Sequence, residues 1–250
     1  MLTTIALPRD WCNYGEMIDG FKAKYGIEVN ELDPNAGSAD ELEAIRANQG
    51  NTGPQAPDVI DVGLAFGPQA KDEGLIQPYK VSVWDSIHDD AKDADGYWYG
   101  DYYGVLAFAV NTDVVENVPQ DWADLLKPEY AGQVALAGNP PVEGVVPASG
   151  VVAGVYAQAI SAYAPHPNAA KLWMEYIYSD EGQNIWLKGY CHPIRFNDMA
   201  ERGVIPQELL DALPPAEAYA AAIFPSLADQ EASKETIVSQ WDTVVGADVK

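Results

Sequence analysis

Basic residues are scarce in this chain: 14 Lys and Arg stand against 38 Asp and Glu, a formal charge of −24 at pH 7. Binding to nucleic acid or to an anionic membrane needs protein cations that displace counterions from phosphate, so neither is expected as a partner. The carboxylates are spread along the sequence with no acidic tail, the pattern of a solvated surface that keeps a protein soluble. A cationic ligand is compatible with that balance but not implied by it. Histidine is also rare. His88, His166 and His192 fit neither HExxH nor CxxC spacing, so no metal and no cofactor is expected. Catalytic phrases are missing too: there is no G-x-S-x-G elbow, no P-loop and no GxGxxG run, and the chain is not expected to be an enzyme.

Long apolar runs are absent as well. The stretch from Val142 to Ile160 comes nearest to a membrane span, but Glu143, Pro147 and its glycines interrupt it, and its valines read as strands. Met1-Leu2 runs straight into Thr3-Thr4-Ile5-Ala6-Leu7 without a basic start or a full apolar core. No export signal is expected in this chain, as in a mature, trimmed or cytosolic form. Cysteine occurs only at 12 and 191, which permits one disulfide or two free, partly buried thiols.

What is there is enough to build a core: 250 residues, 48% of them hydrophobic, suffice for one substantial core or two smaller ones. The first half alternates signals. Thr3 to Leu7 reads as a strand, and Tyr14 to Tyr25 as a helix through Met17, Ile18 and Phe21, closed by Gly26. Ile27 to Leu32 is the next strand, and Ser38 caps a helix carrying Leu42 and Ile45. Asp58 to Gly63 is a buried strand, followed by a short helix from Pro68 to Gly74. This alternation predicts an α/β domain with a mostly parallel sheet covered on both faces. Further strands are expected at Val105 to Val110, Val134 to Ala137, Val142 to Val146 and Gly150 to Ile160, a helix at Asp121 to Leu126, and a helical tail from Pro206 to Val245.

The richest stretch runs from His166 to Gln183. Ala169, Leu172, Trp173, Tyr176 and Ile177 recur at helical spacing behind Asn168 as cap, and Ser179 caps a second helix whose start holds Asp180 and Glu181. This segment resembles the paired-helix element of the extracellular solute-binding proteins that feed ABC transporters. Further phrases resemble that family in its order: Asp58 to Gly63, Gly67-Pro-Gln-Ala-Lys-Asp-Glu-Gly-Leu-Ile-Gln-Pro-Tyr79, Tyr103-Gly-Val-Leu-Ala-Phe-Ala-Val-Asn-Thr-Asp-Val-Val115, and Val118 to Leu136. The resemblance is nearest to the spermidine/putrescine- and ferric-ion-binding-like group. It implies a type II periplasmic binding-protein fold, with two lobes, two hinge strands and a small solute held in the cleft between the lobes. Lobe 1 would comprise residues 1–108 and 155–250. Residues 109–154 would be the remnant of lobe 2, with an apparent deletion near 139–141. Only about forty residues then separate the hinge strands, the length below which a chain stops building its own core unaided.

The ligand residues follow from the same resemblance. Trp11, Tyr14 and Phe66 lie in loops after the first and third strands, where open α/β sheets bind ligands. The run Asp10-Trp11-Cys12-Asn13-Tyr14 is similar to the aromatic loop of polyamine-binding relatives. Aromatic faces hold ammonium groups by cation–π attraction, though one or more of these rings could simply pack on the first helix. Asp101, Tyr102 and Tyr103, before the hinge, and Tyr156, on the return strand, would face the cleft. Arg195 would take a carboxylate-bearing solute or form a salt bridge. Iron is not expected, because the tyrosine pair that holds it in ferric-ion-binding relatives belongs to the second lobe. The resemblance thus implies a monomeric substrate-binding component of an ABC importer, periplasmic or extracellular, with permease subunits as partners and a cationic or zwitterionic solute. The alternatives are a truncated relative acting as a structural or interaction module, and an incomplete or engineered solute-binding protein.

Overall fold

The computed structural model describes residues 1–134, 143–145, 149–213 and 222–244. These fall into two compact units. The larger holds Met1–Tyr103, Val155–Asp211 and Leu227–Lys250, and the smaller holds Gly104–Gly154 and Ala212–Ser226.

The larger unit begins with β1 (Leu2–Ile5), α1 (Tyr14–Tyr25) and β2 (Val29–Leu32), the two strands pairing in parallel with Leu2 opposite Val29. α1 buries Tyr14, Met17, Ile18 and Phe21, the i, i+3, i+4, i+7 face that lies on a core. Gly26 closes it at φ 65°, its N–H bonded to the Lys22 carbonyl, a left-handed cap that glycine adopts without strain. α2 (Ser38–Ala47) and β3 (Val59–Gly63) follow. Ser38 is the first helical residue rather than the cap, and its hydroxyl instead accepts the Gly63 N–H at 3.0 Å. Then come α3 (Phe66–Asp72), β4 (Ile76–Gln77) and β5 (Tyr99–Val105).

The sheet is mixed rather than mostly parallel. β8 (Val151–Ser161) lies antiparallel to β3, with Gly63 opposite Tyr156, and antiparallel to β4; β5 neighbours β8 and pairs antiparallel with β9 (His192–Pro193). The alternation of strand and helix predicts parallel neighbours only where a helix links consecutive strands. β8 follows no such crossover, so its direction escaped that pattern.

The paired helices are α4 (Pro167–Ile177) and α5 (Asp180–Lys188). Ser179 caps α5 through the Gly182 N–H. α4 starts two residues earlier than a cap at Asn168 suggests, with His166 as the cap and Pro167 in its first turn, where a missing N–H costs nothing. Trp173, Met174, Tyr176, Ile177 and Trp186 are buried in the core with α1. Gly182 is there for space: a Cβ on it would lie 2.4 Å from the Tyr176 carbonyl oxygen and 2.7 Å from that of Ile177. These are backbone atoms that cannot swing aside. Gly182→Ala is therefore expected to cost about 1–3 kcal/mol, as overpacking does, read as a fall in the urea midpoint; no change would show that the two helices separate freely.

The unit ends with α6 (Phe196–Glu201), α7 (Gln207–Asp211) and α8 (Leu227–Val244). The expected helical tail is thus divided, with the short strand β10 (Ala222–Ile223) between α7 and α8.

In the smaller unit, the apolar run after Tyr103 is not one strand: β5 ends at Val105 and β6 (Phe108–Val110) pairs antiparallel with β7 (Glu143–Val145). β10 pairs in parallel with the start of β8. The expected helix at Asp121 is a 3-10 turn, Trp122–Leu126, whose Trp122 ring meets Phe108 edge-on at 4.6 Å. The apparent deletion at 139–141 and most of the strand predicted at Val134 to Ala137 lie outside the described residues.

Candidate functional site

The loop between β1 and α1 makes a tight turn, with Cys12 at φ 48° and Asn13 at φ 63°. Backbone of this sign is costly for side-chain-bearing residues, and the loop is held from outside. A disulfide joins Cys12 to Cys191, just beyond α5. Gly189 comes so near that a Cβ on it would lie 2.5 Å from the Cys12 carbonyl carbon.

This anchored loop brings four of the expected residues together, all in the larger unit. The Trp11 ring is half exposed and its Nε1 donates to the Tyr102 hydroxyl at 3.0 Å. Tyr102 stacks on Tyr156, the rings 5.3 Å apart and 13° from parallel, and Trp11 approaches Tyr156 at 6.5 Å. Tyr14 meets Tyr102 edge-on at 6.3 Å. The outer surface of this group is made by Trp11 and Tyr156, while Tyr14 and Tyr102 are buried behind them.

The remaining expected residues are placed differently. Asp101 is buried beside Tyr102, whose N–H it accepts at 2.8 Å. Tyr103 is half-buried and stacks on His192 at 4.5 Å. Phe66 packs with the second core group around Val62, Leu64 and Trp98. Asp10 is exposed. Arg195 is 3% exposed, its guanidinium taken up by Ser86, the Tyr178 carbonyl and Asp198. With Asp180, Asp198 and Arg202 it lines an open cavity of about 460 Å³, in which the two cations and the two acids pair with each other.

Sequence reasoning missed the layer beneath the rings. Asp61 of β3 accepts both phenols through Oδ2, from Tyr14 at 2.7 Å and from Tyr102 at 3.0 Å. Gln158, opposite Asp61 in the β3–β8 register, donates to the Tyr14 hydroxyl at 3.0 Å. Glu41 of α2 accepts the Asp61 N–H at 2.8 Å. Trp186 backs the group, edge-on to Tyr14 at 6.2 Å and tilted to Tyr102 at 5.4 Å. One signal was available: Asp61 interrupts an otherwise apolar buried strand, and a buried acid must have partners.

Burial dominates the electrostatics here. Desolvation pushes the Asp61 carboxyl up to about 7 despite the phenols that favour its charge. Asp101 is raised well above the usual carboxylate range by burial and by Asp61, and Glu41 likewise. Tyr14 and Tyr102 are raised by burial and by Asp61, so both phenols stay protonated and donate. The wall is therefore aromatic in front and acidic behind. Among the described residues no group of three or more His, Cys, Asp or Glu could hold a metal ion, and no helix is long and apolar enough to cross a membrane.

Residues 55–142 match the family described as bacterial extracellular solute-binding protein. A probable ABC transporter periplasmic-binding protein of Sinorhizobium fredii is 31% identical over 121 residues, 46% of this chain and 31% of that protein. An uncharacterized protein of Haemophilus influenzae is 33% identical over 128 residues, 47% of this chain and 35% of that protein. The matched region spans about a third of the length of these curated relatives. Among solved structures, the periplasmic binding protein AfuA of Actinobacillus pleuropneumoniae, with fructose-6-phosphate bound, superposes with a TM-score of 0.69 at 19% identity, covering 99% of both chains. A periplasmic thiamin binding protein gives 0.68 at 14% identity over 96% of this chain and 94% of its own. The ferric binding protein of Campylobacter jejuni gives 0.62 at 15% over 94% and 98%. Residues 55–142 are thus similar in sequence to the bacterial extracellular solute-binding proteins, and the chain has the type II periplasmic binding-protein fold.

Proposed function

We propose that this protein is the non-enzymatic, monomeric solute-binding component of an ABC importer, acting outside the cytoplasmic membrane and delivering its solute to permease subunits. The solute is a small organic cation or zwitterion that lies on Trp11 and Tyr156. The observation that carries this reading is the half-exposed Trp11 ring, hydrogen-bonded to Tyr102 over a stacked tyrosine pair with Asp61 behind it. Relatives of this fold bind chemically diverse solutes: a sugar phosphate in one, thiamin in another. The aromatic faces of the wall, rather than the fold, support a cation.

The test is a panel of spermidine, putrescine, glycine betaine and basic amino acids, followed by tryptophan fluorescence and melting temperature. A binder at 100 times its Kd raises the stability by about 2.7 kcal/mol through mass action. Trp11→Ala should weaken binding about 2- to 30-fold, the range of one cation–π contact, and leave the melting temperature of the free protein nearly unchanged. If no member of the panel moves either signal at millimolar concentration, or if anionic sugars bind better, the assignment to cations fails.

A further inference from the structure

The polar groups of the aromatic wall are mostly committed to one another. A phenol has one proton to give and lone pairs with which to accept. Tyr102 gives its proton to Asp61 and accepts from the Trp11 indole, while Tyr14 gives its proton to Asp61 and accepts from Gln158. Tyr156 is the exception. Its ring stacks on Tyr102 and approaches Trp11, but its hydroxyl has no hydrogen-bond partner among the described residues and is not a buried orphan, so that oxygen is open to solvent. Burial raises this phenol above its usual value, with Asp61 adding to the effect. It is therefore neutral at physiological pH, and free both to accept and to donate.

Across the sheet from this tyrosine stands a glycine. Gly63 is opposite Tyr156 in the β3–β8 register, two residues beyond the pairing of Asp61 with Gln158. Side chains return to the same face of a strand every second residue, so both pairs lie on the face from which the wall is built. At the second pair one partner has no side chain. A Cβ on Gly63 would find Phe66 Cδ2 at 3.9 Å and Ser38 Oγ at 4.0 Å, and apart from its chain neighbours nothing else within 4 Å. Gly63 is part of a regular strand and is not at positive φ, so the backbone has no need of glycine there. What the residue supplies is space: a notch beside the Tyr156 ring, rimmed by an edge of Phe66 and by the Ser38 hydroxyl. Ser38 accepts the Gly63 N–H and has a second lone pair unused among the described residues.

We propose that Gly63 and Tyr156 form a subsite that selects a protonated primary or secondary amine and rejects a quaternary ammonium. This rests on the reading that the wall binds a cation, and narrows it. Aromatic faces attract both kinds of cation and by themselves suit a quaternary one. A free hydroxyl tells them apart. An ammonium N–H donates to Tyr156 Oη, with Ser38 Oγ on the rim as a further acceptor. A trimethylated nitrogen has no proton to give, and it would shut these oxygens off from water without a partner, which is how a hydrogen-bonding site rejects an analogue that lacks the bond. Size acts in the same direction, since such a group carries three methyls into a notch opened by the absence of one side chain.

The experiment is calorimetric titration of the full, oxidised protein with putrescine and with its permethylated bis-quaternary analogue, two dications of equal chain length, repeated on Tyr156→Phe and Gly63→Ala. Putrescine should bind the wild type about 10-fold tighter or more, the size of a hydrogen bond to a charged group. Tyr156→Phe keeps the stacked ring and breaks no hydrogen bond within the protein, and it should close that gap by weakening putrescine. Gly63→Ala should weaken putrescine about 5-fold or more, as overpacking does, while its urea midpoint stays level or rises, because alanine loses less chain entropy in a strand than glycine. Affinity lost with stability kept is a result that a merely structural glycine would not give. If the analogue binds as tightly as putrescine, or the gap survives in Tyr156→Phe, the subsite is overturned and the cation reading stands. An unchanged putrescine affinity in Gly63→Ala overturns the notch. If neither dication binds at millimolar concentration, the subsite and the cation reading fall together.

Discussion

Replacing Cys12 and Cys191 together by serine is expected to remove about 4 kcal/mol of stability, or about 10 °C in melting temperature for a chain of this size. The bond spans 179 residues of a chain of 250, so in the loop-entropy description it restrains most of the unfolded chain. The native end of the argument is local. Cys12 and Asn13 sit at positive φ, a conformation that relaxes if nothing holds it, and the backbone of Gly189 lies against them. Losing the bond should therefore also raise the exposure of Trp11, read as faster acrylamide quenching. The same result should follow from reducing the wild-type protein with dithiothreitol. A double serine variant within about 1 kcal/mol of wild type would show that the close packing at Gly189 holds the loop by itself.

Much of the fold was legible because local signals and core packing agree. α1 begins at Tyr14 and ends before Gly26, as its apolar spacing and its cap predict. Ser179 caps α5 because a short hydroxyl side chain at that turn reaches the Gly182 N–H. Strand direction was not legible, since pairing between β3 and β8 joins residues about a hundred apart and no local pattern encodes it. The split of the Val105–Val110 run was hidden for a related reason: a continuous apolar stretch does not say where a bend falls.

At the candidate site the sequence marked the rings and missed what aims them. Trp11, Tyr14, Tyr102 and Tyr156 come together, because loops and strand ends of an α/β sheet share one edge. Phe66 follows the same strand as Asp61 but turns into the core with Trp98. Arg195 looks like an anion ligand in one dimension; in three it belongs to a closed set of ion pairs. Asp61 and Gln158 face each other only through the β3–β8 register, so their partnership could not be read before that pairing was known.

Trp186→Ala should be the most damaging single change near the wall, at about 3–5 kcal/mol. The indole is fully buried and packs on both Tyr14 and Tyr102, so its removal leaves a cavity directly behind the rings that Asp61 holds. Part of the loss is transfer energy and part is the unfilled space, and the second part depends on how far Tyr102 can sink into it. Trp186→Phe separates these contributions. Phenylalanine keeps an aromatic face against Tyr14 and removes an indole N–H that has no acceptor, which offsets some of the lost volume. It should cost less than about 1.5 kcal/mol and keep the Trp11–Tyr102 contact. Urea midpoints measure both costs, and the affinity of any solute found by the panel should fall for alanine but not for phenylalanine. Equal losses for the two variants would mean that a ring filling most of the space recovers nothing, and would overturn the cavity account of the indole's role.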